Sequence, residues 1–308
     1  FGLLNNVVIR GTSISRQIAT AFEANISENS NKKLEEAYIS QKLNEIGEAA
    51  RATDEVLSEL TANRIPVSPE NIQAAAEFIE RPNELARRIR EFAKGVDRRR
   101  GRDSFITNLE ETTNNFINEM TEPAGAKLSY SELIENMKEI LSEEVAGSEI
   151  TELVDIKQLS LMNKQLSFAL RLSGEENYHI PVMVAGEMTD INLKLVHGRE
   201  TGLVSVHMDV ENAGALGGLV SIRDNSMEAL FTWESTEGRL LLERVAESFT
   251  QKTGNFNFER SDIKILMGNP KRAGKLSSDN ADNNNETVDT ARLYELAKCF
   301  IESIREEA

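Results

Sequence analysis

The chain has 308 residues, 40% of them hydrophobic, enough to fill one large core or two ordinary ones. A net charge of −16 at pH 7 repels nucleic acid and anionic membranes at long range. The single cysteine, Cys299, excludes an intramolecular disulfide, and with three histidines the chain offers no structural zinc set.

The opening, FGLLNNVVIRGTSISRQ, holds a short apolar run but neither a basic leader nor a small-residue cleavage site. A chain that begins with Phe reads as a trimmed fragment. From about residue 13 to 172 the punctuation is helical. Leu34, Ala37, Tyr38, Leu43, Ile46, Ala50, Val56, Leu57 and Leu60 recur mostly three or four apart, as one helix face or two broken near Gly47. Ser68 then reads as an N-cap and Pro69 as a first helical residue, with Ile72, Ala75, Ala76 and Ile79 on one face. FITNLEETTNNFINEM and SYSELIENMKEILSEE predict two further helices, separated by a break at Pro123 and Gly125.

After LRLSGEENYHIP the period becomes two. Ile191, Leu193 and Leu195 alternate with polar residues, as do Val204, Val206, Met208 and Val210, then Val220 and Ile222. Asp224 and Asn225 predict a two-residue turn, and Met227, Ala229, Phe231 and Trp233 face one way on the return strand. The expectation is a meander of four or five antiparallel strands. A helix over Thr236–Lys252 follows, apolar at Leu241, Leu242, Val245 and Phe249, able to cover the sheet. Ile263 and Ile265 suggest one more strand, residues 269–286 a disordered loop, and Leu293, Leu296, Ala297, Phe300 and Ile304 a last helix. That helix docks on its own domain or serves as a tethered segment for a partner. The reading is an α+β protein: a helical region over 1–172, then an antiparallel sheet packed against one or two helices over 173–308.

Chemistry is sparse. His179, His197 and His207 read as exposed or strand-surface residues, and Cys299 as a small core thiol. GALGG, Gly214–Gly218, lacks the following helix of a phosphate loop and reads as a bend before a strand. Arg87–Arg102 is the one basic cluster, either a solvated helix balanced by acidic neighbours or a nucleic-acid contact. No catalytic residue, cofactor or metal is expected.

Leu216 and Gly217 before a strand, the tight turn at Asp224 and Asn225, a strand ending in Glu234 and Ser235, and TEGRLLLERVAESFTQKTG resemble the C-terminal domain of bacterial flagellar hook-length control proteins. That family has an "LG" strand, a hairpin, a helix with Arg and a double Leu near its start and Gly at its end, then a final strand. Arg239, Leu241, Leu242, Gly254 and the Ile263 strand match it. YHIPVMVAGEMTDINLKLV and LYELAKCFIESI look like an uncharacterised clostridial-type subgroup. The resemblance implies a non-enzymatic protein, cytoplasmic or exported through the flagellar type III pathway. Its implied partners are the export-gate protein and hook or hook-cap subunits, with no small-molecule substrate, nucleic acid or membrane insertion. One departure stands out: the family's N-terminal half is long and poorly ordered, whereas residues 13–172 look helical here. Gly217, Gly218, Trp233 and Arg239 are the partner-binding candidates, the glycines and the Arg199–Gly202 loop as exposed edges for strand addition and Trp233 as an interface anchor. A general interaction module, or a nucleic-acid-binding regulator using Arg87–Arg102, are the alternatives.

Overall fold

A computed structural model describes residues 38–40, 43, 47, 50–100, 104–147, 153–184, 186–198, 201–210, 212–268 and 289–307. Contacts divide the chain between Ile79 and Glu80 into two compact units. The expected loop at 269–286 lies outside the described residues.

In the first unit Gly47 is helical, and the interruption falls at residues 50–53 instead. Thr53 there caps α1 (Asp54–Ala62), its Oγ1 accepting the Val56 N–H at 3.4 Å. Ser68 caps α2 (Pro69–Glu80) in the same way, accepting the Asn71 N–H at 3.2 Å. Ile72, Ala75 and Phe78 are its buried stripe, with Phe78 taking the place expected of Ile79.

The second unit is α+β. Its helices are α3 (Pro82–Arg100), α4 (Ser104–Glu119), α5 (Pro123–Gly147) and α6 (Leu153–Leu172). Pro82 and Pro123 open α3 and α5, where a missing N–H costs nothing. Six strands follow as one sheet in chain order: β1 (Asn177–Val184), β2 (Glu187–His197), β3 (Thr201–Val210), β4 (Gly214–Arg223), β5 (Ser226–Trp233) and β6 (Arg260–Met267). The first five form an antiparallel meander. Asp224 takes φ 53° in the expected β4–β5 turn. GALGG is strand β4 itself, paired to β3 from Gly214 onward, so the bend expected there is confined to Gly214 and its φ of 72°.

β6 runs parallel to β5. Parallel neighbours require a crossover, and α7 (Thr236–Thr253) supplies it. Ser235 starts that helix: its Oγ accepts the Gly238 N–H at 2.9 Å and donates to the Ala213 carbonyl. With α8 (Thr290–Glu307), α7 covers one face of the sheet, whose residues Leu193, Val206, Val220, Ala229 and Phe231 are buried. Phe231, Phe249 and Phe300 meet there with ring centroids 4.9–5.8 Å apart. The last helix therefore docks on its own domain.

Helices α3 to α6 join the same unit at the β1 end of the sheet, α3 against β2, α4 and α6 against β1. The change of period near residue 172 is thus crossed by packing. A second aromatic cluster, Phe116, Tyr130, Tyr178 and Tyr294, ties α4, α5, β1 and α8 with centroids 5.2–6.5 Å apart.

Candidate partner-binding surface

Gly217 and Gly218 lie in the middle of β4, opposite His207 and Val206 on β3 and Thr232 and Phe231 on β5. Both backbone edges of β4 are taken, so neither glycine offers the exposed edge expected of it. Gly218 has an internal reason to be glycine. A Cβ there would stand 2.5 Å from Cζ of Phe300, well inside contact distance. Between β2 and β3 the Gly198 N–H donates to Thr201 O at 2.9 Å, and both strands are interior to the sheet; residues 199–200 lie outside the described residues.

Trp233 is half-buried at the end of β5, where its carbonyl accepts the Gly268 N–H at 3.1 Å. Beside it in register is Met267, 73% exposed, preceded by Leu266, 53% exposed. These three residues give the β5–β6 end of the sheet an apolar margin. Arg239 is exposed on α7 and pairs with Glu243 one turn on, at 2.8 Å. Such a pair is worth ~0.2–1 kcal/mol and is easily exchanged for another partner.

Polar groups of another kind lie inside. Tyr130 Oη accepts the His179 N–H at 3.1 Å and donates to the His179 carbonyl at 3.0 Å, closing off part of the β1 backbone. Tyr178 and Tyr294 share a hydrogen bond at 3.0 Å, and Glu176 bonds His197 nearby. Burial raises all three phenols, Tyr178 to about 12. His179, expected at the surface, is buried on the face that meets the helical layer; burial pushes it down to about 3. Asp190 sits diagonally across from it on β2, bonded by the Ala86 backbone, and burial pushes its carboxyl up to about 8.

Strongly shifted groups often mark active sites. The cavity that His179 and Asp190 share with Leu85, Ile89 and Met137 has only about 10 Å³, room for one water and none for a substrate. A roomier hollow, about 460 Å³ and open, is lined by Glu84, Arg87, Arg88, Glu91, Phe92 and Gln158. There Arg87 bonds Glu84 and Glu91, and Arg88 bonds Glu84, at 2.8–2.9 Å. Arg90, the next basic residue, bonds Glu187. The described start of the basic cluster is thus balanced by carboxylates. Cys299 is half-buried on α8, its thiol pushed up to about 11 by burial.

No helix among the described residues is long and apolar enough to cross a membrane. Compared with known proteins, the chain matches no family model, and no curated protein or solved structure is significantly similar to it.

Proposed function

We propose that this chain is a non-enzymatic flagellar assembly protein of the hook-length control type, which switches the substrate specificity of the type III export apparatus through protein contacts. The observation that carries this reading is the sequence of elements from β4 to β6. An "LG" strand, a tight hairpin, a helix capped at Ser235 with Arg239, Leu241 and Leu242 in its first turns, Gly254 at its end and a final strand occur in the order that the resemblance implies.

In this reading the apolar margin of Trp233, Leu266 and Met267, with Arg239 on α7, meets the export gate; Gly217 and Gly218 serve the interior of the domain. Hook or hook-cap subunits are further partners. The helical layer packed on the sheet favours the switch role over the ruler role, since α3 to α6 would have to unfold to pass a narrow channel. The protein would work in the cytoplasm, with export through the type III pathway as the ruler form of the hypothesis. A general interaction module would use the same margin for an unrelated partner.

Electron microscopy of hooks in the source organism lacking this gene decides between them. Overlong hooks without filaments support length control, whereas normal hooks with normal filaments refute it.

A further inference from the structure

The two edges of the sheet differ. β1 is closed by Tyr130 and by α4 and α6. β6 pairs with β5 on one side, and no described strand lies beyond it. Arg260, Ser261, Lys264, Leu266 and Met267 are exposed along it, Asp262 is half-buried, and so are Ile263 and Ile265 on the side that meets α7. Unpaired edges invite another strand, and proteins commonly guard them with charge. Here the charges do more than guard.

We propose that β6 pairs antiparallel with β6 of a second copy of this chain, about a two-fold axis at Ile263 perpendicular to the sheet. Such an axis keeps like faces together, and sets Asp262 opposite Lys264 of the second copy and Lys264 opposite its Asp262. Arg260 then lies opposite Leu266, whose exposed side chain its aliphatic stem covers. Shifting the pairing by two residues sets Asp262 against Asp262 in one direction and Lys264 against Lys264 in the other. A shift of four residues also opposes Arg260 and Asp262 but pairs only residues 260–262 of the strand. Among registers that pair most of β6, the one centred on Ile263 alone opposes unlike charges, and the edge charges select it. Within one copy Lys264 Nζ already reaches Asp262 Oδ2 at 3.1 Å, but the Lys264 side chain is 60% and that of Asp262 37% exposed, so exchanging partners costs little. The pairing stands whichever function the chain performs.

Sedimentation over a concentration series tests it on the full chain, with thermal melting as a control for folding. The wild type should shift from monomer to dimer as concentration rises. Asp262→Lys and Lys264→Asp should each lose the dimer, and the charge-exchanged double variant should regain it. A wild type monomeric throughout, or a dimer indifferent to the single variants, overturns the proposal.

Discussion

Phe300 lies over the Cα of Gly218, so that α8 reaches the sheet where the strand presents no side chain. Gly218→Ala drives a methyl group into that ring and should cost about 1–3 kcal/mol. Phe300→Ala empties the centre of the Phe231, Phe249 and Phe300 cluster and should cost about 3–5 kcal/mol. The two positions are in contact, so Gly218→Ala should cost less in a Phe300→Leu background than alone. Urea denaturation of the four proteins measures the coupling; additive effects would show that the ring does not depend on the bare backbone.

Asp190 and His179 give stability a defined pH profile. The folded state holds the Asp190 proton up to about pH 8, whereas the unfolded chain releases it near 3.8, so this group destabilises progressively as pH rises through that window. His179 acts in the opposite sense: it stays neutral in the fold down to about pH 3 but charges near 6.5 in the unfolded chain, so stability rises with pH between those values. The slopes oppose one another below pH 6.5, and above it Asp190 acts alone. A loss of about 2 kcal/mol is expected between pH 6.5 and 8. Asp190→Asn should flatten that limb, which thermal melts at pH 6.5, 7.3 and 8 would read directly.

Tyr130→Phe keeps the ring contacts with Phe116 and Tyr178 but removes the hydroxyl that joins α5 to both polar groups of His179. A buried N–H and carbonyl left without it should cost about 1–3 kcal/mol. Hydrogen exchange at the His179 amide should accelerate more than exchange in β4, and uniform acceleration would contradict a local role.

Arg239→Glu separates function from folding. Loss of an exposed helix pair should move stability by ~0.5 kcal/mol or less. Under the length-control reading the same variant, expressed in the cell, should give overlong hooks, as should Trp233→Ala. Hooks of normal length with both variants would remove this margin from the export contact.

How far the sequence could be read follows from how each element is buried. Strands β2 to β5 have one apolar and one more polar face, so Ile191, Val206, Val220 and Phe231 alternate as a half-covered sheet requires. β1 is buried on both sides from Tyr178 to Val182, which erases the alternation, and Pro181 argues against a strand anywhere but at an edge. With β1 unread, His179 and Asp190 had no visible burial, and their shifted acidities stayed hidden. The parallel sense of β6 depends on the path of α7, which no local period records. Gly217 and Gly218 read as an exposed edge for an added strand, but the explanation of Gly218 lies 82 residues further along the chain, at Phe300. Trp233 stands at the end of β5 and Arg239 on the first turns of α7, positions set by the strand and helix patterns that the sequence carries locally.

The dependence of the sheet on α8 has a consequence during synthesis. Phe300, Tyr294, Leu296 and Ile304 belong to an element synthesised after all six strands. Until it emerges, the apolar face from Tyr178 to Gly218 is open, and a nascent chain stalled before Thr290 presents an adhesive half-domain to chaperones and proteases. Folding of the second unit therefore waits until α8 has emerged.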